Sequence, residues 1–539
     1  MPYRVLLTEE LAPEGLEILI REPELNVERR PLHKPEELAR EIADYDALIV
    51  RSGTRVTAEV IASAQRLKVI GRAGIGVDNI DVAAATRRGI VVMNTPGGNN
   101  VTTAEHTISL LLACARMIPQ ANASLRAGKW EREKFTGSEV CGKTLGIIGL
   151  GNIGRIVAER AIGLKMKVLG YDPFVKLDVA PLEVKLAASL DEVLAHSDFI
   201  TVHVPLTDDT RNLIDARAIA KMKPGVRVIN CARGGIVDEA ALAAAIREGR
   251  VTGAALDVFT AEPPPADHPL IGLPEVVATP HLGAATGEAQ TNVAIAIAEQ
   301  VASFLIRGAI TAAVNMPALT PEQRELLGPF LTLGEKLGSL VAQLRLADQP
   351  PTGGAPVAVE IDYRGDVAEY GTKTVTAAIL RGLLVPILGG DLNYVSAPLI
   401  ARERGIELRE TISTEPGDFR NRIGVKVKFA RAGYEHEVAG AVFGRRILRL
   451  VKLDDFYLEA VPEGYILMLH NQDVPGVVGK VGTLLAQHQV NIAGLELGRE
   501  KIGGKAVSLF HVDQPVPREV LRELQEDREK IISAALIRL

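Results

Sequence analysis

Three polar side chains lie just after short apolar runs that are typical of β-strands, in the stretches CARGG, ALDVFTAEPP and TPHLGAAT. They are Arg233, Glu262 and His281. An imidazole exchanges protons near neutral pH, and a neighbouring carboxylate orients it and favours its protonated form. An arginine pairs bidentately with a carboxylate ligand. These residue types together suit the oxidation of a 2-hydroxy acid, in which the imidazole takes the hydroxyl proton as hydride leaves C2.

Each of these residues taken alone has a plainer explanation. A lone histidine is usually structural, an acid before prolines often caps a loop, and an arginine usually lies on a solvated rim. His106, His203 and Cys231 are weaker candidates, because His106 falls in a helical run and His203 in a strand, where packing roles are expected. The catalytic interpretation gains its weight from a cofactor motif upstream.

That motif is GLGNIG at 149–154, which follows the apolar run TLGIIGL and opens the helical run IVAERAIGL. In such a loop Gly149 permits a tight turn, Gly151 lets the backbone approach a pyrophosphate, and Gly154 lets the helix pack on the strand. Asp172 ends the next apolar run, 18 residues beyond Gly154. Its carboxylate would accept hydrogen bonds from ribose hydroxyls and repel a 2′-phosphate, which predicts NAD rather than NADP.

The elements that must position these groups alternate in type. From 143 onward, six apolar runs predict strands separated by helices or loops, and hence a doubly wound parallel sheet: KTLGIIGL, MKVLGYD, DFITVHVP, GVRVINCA, GAALDVF and EVVATPH. Ligands of such sheets bind at the carboxyl ends of the strands, so residues far apart in sequence converge there. Before this sheet, YRVLLT, DALIVRS and LKVIGRAG predict strands of a smaller α/β unit, and 102–127 predicts one long helix. A helix near 286–307 is predicted to return the chain to that first unit.

Composition limits the function classes. The chain has 539 residues, enough for several domains, and its net charge of −6 and 4% aromatic content disfavour nucleic acid and anionic membranes as partners. The three cysteines are far apart, which argues against disulfides and a metal site. MPYRVLLTEE lacks the pattern of a signal peptide, so we expect a cytoplasmic protein. The apolar stretch 293–306 contains Glu299 and Gln300 and predicts a packed helix rather than a membrane span.

Several motifs together resemble the D-isomer-specific 2-hydroxyacid dehydrogenase family: VRSGTRVT, GRAGIGVDNID, MNTPGGN, GLGNIG, CARGGIVDE, ALDVFTAEPP and PHLGAAT. The whole chain is similar to the long members that carry an intervening domain and a C-terminal ACT domain. The resemblance implies a Rossmann-type NAD-binding domain (99–285), a flavodoxin-like substrate domain (1–98 and 286–312), an α+β intervening domain (313–458) and a βαββαβ ACT domain (463–539). It implies NAD-dependent oxidation of 3-phosphoglycerate to 3-phosphohydroxypyruvate, the first step of L-serine synthesis.

The resemblance also assigns residues. It makes Arg233, Glu262 and His281 catalytic, with His281 the acid/base. The positions that match NAD contacts of the family are Gly149, Gly151, Asn152, Ile153, Gly154, Asp172, Cys231, Ala232, Arg233, Asp257, His281, Leu282, Gly283 and Ala284.

Substrate and effector positions follow in the same way. Arg51 and Ser52 match the phosphate site, and Ala73 and Gly74 lie near the substrate carboxylate. Arg132, with Lys129, either reaches a neighbouring subunit's site or belongs to a solvated basic turn. In the ACT segment, Asn471, Asp473 and Asn491 match a site for L-serine at a paired interface; the alternative is that Asp473 only caps the helix and Asn491 only turns the chain. A homotetramer, as a dimer of dimers, is expected. Arg445, Arg446 and Lys452 suggest a second anion site.

Two alternatives stay open from the sequence. One is a dehydrogenase of another 2-hydroxy acid, such as glyoxylate, hydroxypyruvate or lactate, which leaves the residues after the dehydrogenase core without a role. The other is an NAD-sensing interaction protein without catalysis, which the intact set of Arg233, Glu262 and His281 disfavours.

Overall fold

The computed structural model describes residues 2–32, 34–174, 183–318, 321–348, 354–390, 392–430, 434–444 and 446–539. Arg445, one member of the suggested second anion site, lies outside these residues. The chain forms two compact units: one comprises Met1–Glu10, Glu17–Asn94 and Ile297–Leu539, and the other comprises Leu11–Leu16 and Thr95–Ala296.

The first sheet is built from β1 (Tyr3–Leu7), β2 (Leu25–Arg29), β3 (Ala47–Val50), β4 (Val69–Arg72) and β5 (Val91–Met93), with helices α1 (Pro13–Arg21), α2 (Pro35–Glu41), α3 (Ala58–Ser63) and α4 (Val82–Arg87). All its strands are parallel, in the order β2-β1-β3-β4-β5. The apolar runs predicted β1, β3 and β4 but not the other two. β2 reads LNVER at the sheet edge and β5 has only three residues, so neither has a strong apolar signal.

The second unit contains the seven-stranded sheet. Its elements are α5 (Asn100–Arg116), α6 (Ile118–Arg126), β6 (Thr144–Ile148), α7 (Asn152–Gly163), β7 (Lys167–Tyr171), β8 (Val184–Leu186), α8 (Leu190–His196), β9 (Phe199–Val202), α9 (Ala216–Lys221), β10 (Val226–Asn230), α10 (Glu239–Arg247), β11 (Val251–Leu256) and β12 (Val276–Ala278), followed by α11 (Gly287–Arg307). The strands are parallel, in the order β12-β11-β10-β9-β6-β7-β8.

This sheet is the predicted doubly wound one, and the fold class is confirmed. Apolar clusters cover both faces: Val202 and Val228 belong to one cluster, and Ile147 and Ile229 to the other. Because both faces are buried, the five central strands are continuous apolar runs, and they were visible in the sequence together with the edge strand β12. The seventh, β8, reads only VKL and was missed.

The prediction of one helix over 102–127 was wrong. The chain is helical from Asn100 to Arg116, turns at Met117, whose φ is +50°, and starts a new helix at Ile118. Pro119 has no N–H to donate to the carbonyl of Ala115 four residues earlier, which favours a break in the helix at this point. The N–H of Ser138 bonds that carbonyl instead, at 3.0 Å.

Within the described residues, α11 is the one helix whose length and composition would suit a membrane span, yet 44% of its most apolar window is buried in the protein. A side chain at Gly71 in β4 would lie 2.9 Å from both Ile297 and Val301 of this helix. Its C-terminal part therefore packs closely against the first sheet, within the same compact unit.

The third sheet belongs to a segment made of α12 (Pro321–Asp348), β13 (Pro356–Gly365), α13 (Thr372–Leu388), α14 (Ser396–Glu403), β14 (Glu407–Ser413), β15 (Asn421–Phe429), β16 (Glu435–Phe443), β17 (Ile447–Leu453) and β18 (Phe456–Ala460). It is mixed, in the order β14-β13-β15-β16-β17-β18. Glycines let its two long helices touch, because a side chain at Gly338 of α12 would overlap the backbone of Ile379 in α13.

The last segment contains β19 (Tyr465–Gln472), α15 (Val477–Gln487), β20 (Ile492–Arg499), β21 (Lys505–Val512), α16 (Arg518–Glu526) and β22 (Ile531–Arg538). This is the predicted βαββαβ order, folded as an antiparallel sheet β20-β21-β19-β22. Gln343 of α12 holds the outer edge of β22: its Nε2 donates to the carbonyl of Arg538 at 2.8 Å, and its Oε1 accepts from the N–H of Arg538 at 2.9 Å.

Candidate active site

Three neighbouring strands deliver the candidate catalytic residues. β10, β11 and β12 end side by side at one edge of the seven-stranded sheet. Arg233 follows β10, Glu262 follows β11 and His281 follows β12. The structure therefore places these three side chains at the edge where ligands of doubly wound sheets bind.

Glu262 and His281 form a direct hydrogen-bonded pair. The Nδ1 of His281 lies 2.7 Å from Oε2 of Glu262, while the N–H of Phe259 donates to Oε1 of Glu262 at 3.1 Å. The hydrogen bond that His281 donates to Glu262 raises the pKa of His281 despite partial burial and the opposing charge of Arg233. Burial raises the pKa of Glu262, but the bonds from His281 and Phe259 hold it below its ordinary value. Because Nδ1 is engaged, Nε2 is the nitrogen that remains for a substrate proton.

A buried carboxylate holds the segment that carries His281. Asp257 has no exposed surface, and its Oδ1 accepts from the N–H of Leu282 at 2.7 Å, its Oδ2 from the N–H of Gly283 at 2.7 Å. Its Oδ1 also accepts from Oγ1 of Thr279 at 2.6 Å and lies 3.1 Å from Nε2 of His106. Burial raises the pKa of Asp257, but these donors outweigh it and leave that pKa below its ordinary value.

His106 and Thr279 were missed as parts of the site. The sequence places His106 in a helix, which favoured a packing role, and the contact with Asp257 spans 151 residues of chain. The sequence shows only that His106 lies in a helical run and that Asp257 follows an apolar run, and this does not specify a contact.

The two adjacent glycines after Arg233 are required for different physical reasons. A side chain at Gly234 would overlap the carbonyl of Phe259, so this position is glycine because two backbones approach closely. Gly235 has φ +79°, in the left-handed region that other residues rarely adopt. The buried side chain of Asn230 braces the turn, with Nδ2 donating to the carbonyl of Arg233 at 2.9 Å and Oδ1 accepting from the N–H of Ala232 at 3.0 Å.

The glycine-rich loop fits a dinucleotide. Gly149 has φ +95°, and a side chain there would overlap the carbonyl of His203; one at Gly154 would overlap the carbonyl of Gly149. Nothing lies within 4 Å of the position that a side chain would take at Gly151. Two glycines are therefore required by the protein itself, whereas the third leaves space at the N-terminus of α7, where a pyrophosphate is stabilised by free N–H groups.

Asp172 lies directly after β7, as a ribose-binding acid requires. Its Oδ2 accepts from the N–H of Leu150 at 2.9 Å, and its Oδ1 from the N–H of Phe174 at 2.9 Å. Each carboxylate oxygen has a second acceptor site, so both remain able to bind hydroxyls. The backbone bonds fix the carboxylate beside the glycine-rich loop.

The remaining cofactor positions line the same strand ends. Asn152 and Ile153 open α7, Cys231 and Ala232 follow β10, and Leu282 and Ala284 flank Gly283 in the loop held by Asp257. Burial raises the pKa of the Cys231 thiol to about 12, so it is not a nucleophile at neutral pH. His203 follows β9 rather than lying within it, and burial lowers its pKa to about 4.

The candidate phosphate loop lies in the other compact unit. Arg51 and Ser52 follow β3, and Ala73 and Gly74 follow the neighbouring β4, so the first sheet brings these four residues to one edge. The carboxylate of Glu9 already accepts the N–H groups of Arg51, Gly53 and Thr54, at 2.9, 3.1 and 3.0 Å. These three backbone N–H groups are therefore not available to an anion, which must be contacted by other groups of the loop.

The candidate effector residues do not converge within one chain. Asn471 is 4% exposed, and its Oδ1 accepts from Ser508 at 2.8 Å. Asp473 follows β19 beside Gly504, whereas Asn491 precedes β20 and bonds Asp513 at 2.8 Å. These two positions lie at opposite ends of β21, roughly 24 Å apart at about 3.4 Å per residue.

Comparison with known proteins identifies the chain's relatives. Residues 108–283 match the family of D-isomer specific 2-hydroxyacid dehydrogenase NAD binding domains, 326–454 match the D-3-phosphoglycerate dehydrogenase intervening domain, and 465–529 match the ACT domain. D-3-phosphoglycerate dehydrogenase of Archaeoglobus fulgidus is 47% identical over 99% of this chain and 100% of its own length. The chain belongs to the D-3-phosphoglycerate dehydrogenase family. The D-3-phosphoglycerate dehydrogenase of Bacillus subtilis is 40% identical over the full length of both chains.

Solved structures similar to this chain cover its dehydrogenase part. A glyoxylate reductase from Paecilomyes thermophila is 31% identical with a TM-score of 0.54, over 60% of this chain and 99% of its own. D-lactate dehydrogenase of Aquifex aeolicus, complexed with NAD and lactic acid, is 27% identical with a TM-score of 0.53, over 58% and 100%. The family resemblance and NAD as the cofactor are confirmed.

We predict that Gly151→Ala weakens NAD binding without unfolding the protein. The position has φ −67° and open space around it, so alanine fits the fold, but the methyl group meets the approaching pyrophosphate. We expect the dissociation constant of NADH, measured by fluorescence titration, to rise at least about tenfold, or about 1.4 kcal/mol. Gly163→Ala at the end of α7, also in open space, is the matched control. Unchanged NADH affinity in Gly151→Ala would contradict the assignment of this loop.

Proposed function

We propose that this chain oxidises 3-phosphoglycerate to 3-phosphohydroxypyruvate with NAD, the first step of L-serine synthesis. The observation that carries the proposal is the Glu262–His281 pair beside Arg233 at the strand ends of an NAD-binding unit. Relatives named D-3-phosphoglycerate dehydrogenase match 99% and 100% of the chain, whereas the glyoxylate and lactate enzymes cover only 60% and 58% of it.

The catalytic roles follow from the geometry. Nε2 of His281 takes the proton of the C2 hydroxyl, and the carboxylate of Glu262 orients the ring and stabilises the imidazolium that forms. Arg233 pairs with the substrate carboxylate and polarises the C2 oxygen. When bound, NAD accepts hydride from C2. The glycine-rich loop and Asp172 hold the cofactor in place, and Asp172 sets the preference for NAD.

Arg51 and Ser52 bind the phosphate of the substrate, and Ala73 and Gly74 lie near its carboxylate. The support is their common edge in the first sheet and the fixed shape of the Arg51 loop. Asn79 adds to that shape, because its Nδ2 donates to the carbonyls of Arg51 and Thr54, each at 2.7 Å. Since Glu9 occupies the N–H groups of Arg51, Gly53 and Thr54, recognition of phosphate depends mainly on Ser52 and on the guanidinium of Arg51.

The protein acts as a cytoplasmic homotetramer with the domain limits expected from its sequence: 1–98 with 286–312, 99–285, 313–458 and 463–539. An exposed apolar surface on 100–130 supports self-association; it includes Ile118, Leu125 and Trp130, which are 54%, 58% and 78% exposed. Arg132 follows this surface in an exposed turn, and we assign it to a partner subunit's site. The three cysteines form no disulfide, as in a reducing compartment.

The ACT domain is a binding site for L-serine shared between two copies of the chain. Asp473 and Asn491 lie at opposite ends of β21, so a site that uses both requires the second from a partner. Asp473 accepts from Arg499 and from the N–H of Gly503 and keeps acceptor capacity for an ammonium group.

Initial rates of NADH formation on a panel of 2-hydroxy acids test the substrate. We expect kcat/KM for 3-phosphoglycerate to exceed that for D-glycerate, D-lactate and glycolate by at least about a hundredfold, since a remote charged anchor contributes several kcal/mol to orientation. Arg51→Gln is expected to abolish most of this preference through KM, with exposed Arg55→Gln as the control. A wild-type enzyme without preference for the phosphorylated acid would refute the proposal.

Inhibition by L-serine tests the effector site in the same assay. We expect serine to inhibit the wild type, and Asn491→Ala to need at least about tenfold more serine, the effect of losing one hydrogen bond to a charged ligand. Gln487→Ala, exposed at the end of α15, is the matched control. A wild type that serine does not inhibit, or an Asn491→Ala variant with unchanged sensitivity, would overturn this assignment.

A further inference from the structure

The loop that carries His281 is held by one side of the helix α5. Thr103 and His106 lie three residues apart, and residues with that spacing share a helix face. Oγ1 of Thr103 donates to the carbonyl of Gly283 at 3.0 Å. Nε2 of His106 lies 3.1 Å from Oδ1 of Asp257 and 3.3 Å from Oγ1 of Thr279. One helix face therefore contacts both the loop and the carboxylate that anchors it.

The proton on His106 is placed by its partner. A carboxylate that is held ionised only accepts hydrogen bonds, and the donors around Asp257 outweigh the effect of its burial and keep it ionised. The hydroxyl of Thr279 donates its only proton to Asp257, so its Oγ1 can only accept a hydrogen bond from His106. Nε2 of His106 therefore carries the proton and donates it between these two oxygens.

His281 needs such support because of its backbone. Its φ is +53°, in the left-handed region that a histidine rarely adopts. The N–H of His281 donates to the carbonyl of Asp257 at 2.9 Å, and the next two N–H groups donate to the Asp257 carboxylate. The orientation of the His281 ring is thus set by a residue whose own position is fixed by His106 and Thr279.

We propose that His106 is a positioning residue of the reaction, which acts through Asp257 to hold the backbone of residues 281–283 and thereby the His281 ring against Glu262. It does not touch the substrate. The kinetic test of this inference rests on the proposed function, because it needs turnover of the proposed substrate. The structural test does not.

The kinetic test compares two substitutions of similar size. His106→Leu removes the donor, whereas His106→Gln keeps an N–H at a similar reach, and both residues suit a helix. We expect His106→Leu to lower kcat about ten- to a hundredfold, the cost of a small misplacement of a catalytic group. His106→Gln is expected to restore kcat to within about threefold, and the KM for substrate is expected to change less than kcat in both.

The structural test follows the His281 imidazole by NMR titration of the complete chain, with and without NADH, and needs no turnover. Loss of the donor to Asp257 loosens the contact of His281 with Glu262, so in His106→Leu the His281 titration moves to lower pH; His106→Gln leaves it near the wild-type position. His196→Leu, an exposed histidine of α8 in the same unit, is the control and leaves both readouts unchanged. Circular dichroism confirms that each variant is folded.

The outcomes separate the two proposals. A shifted titration with no activity on 3-phosphoglycerate in any form, wild type included, upholds the positioning role and refutes the proposed substrate. Normal wild-type turnover with an unshifted titration and full kcat in His106→Leu overturns the positioning role. A loss in His106→Leu that His106→Gln does not restore assigns His106 to packing and also overturns it. If His106→Leu fails to fold, the His106→Gln variant decides: wild-type behaviour there supports the donor, and a lost kcat contradicts it.

Discussion

The proposed chemistry depends on a hydrogen bond between two residues that the fold brings together from different strand ends, Glu262 and His281. The bond engages Nδ1 of the imidazole, which leaves Nε2 for the proposed substrate, and it raises the pKa of the ring. Neither effect survives if either strand end shifts by an ångström, because hydrogen bonds weaken steeply with misalignment. The parallel sheet, which is packed on both faces, keeps the strand ends in fixed positions.

Hydrogen bonds to Asp257 offset the unfavourable free energy of this arrangement. A left-handed histidine costs about 1–3 kcal/mol, and burying an ionised carboxylate costs several more. Hydrogen bonds to a charged group contribute about 1.5–3 kcal/mol each, and Asp257 accepts from two backbone N–H groups and the hydroxyl of Thr279 besides its contact with His106. These hydrogen bonds offset the strain at His281. The same carboxylate therefore holds the backbone that carries the proposed acid/base residue.

Some glycines near the candidate site are required by the fold itself, whereas one is required only by the proposed binding of the cofactor. Gly149, Gly154 and Gly234 are fixed by backbone contacts or by positive φ, and substitution there disturbs the fold. Gly151 has neither constraint. The loop motif alone shows three similar glycines, and only the coordinates separate those required by the fold from the one left for a ligand.

The sequence predicted much of the fold, and the position of the candidate catalytic residues at neighbouring strand ends, for identifiable reasons. Strands buried on both faces appear as apolar runs, and parallel topology sends their carboxyl ends to one edge, so Arg233, Glu262 and His281 were placed without coordinates. Short or charged edge strands such as β2 and β8 carry no such signal. His106 and Glu9 were missed because their contacts are set by tertiary packing, and periodicity predicts the face of an element but not its partner.

The most direct test of the account is the pH dependence of kcat/KM for oxidation in the wild type and in Glu262→Gln. Oxidation needs neutral His281, so the rate falls as pH drops through the raised pKa of that imidazole. Glu262→Gln removes the largest cause of the rise, so the account predicts a lower kcat and an acid limb displaced to lower pH, toward the ordinary imidazole value of about 6.5. An acid limb that stays in place in Glu262→Gln, or moves to higher pH, would contradict the pairing of Glu262 with His281 as the basis of catalysis.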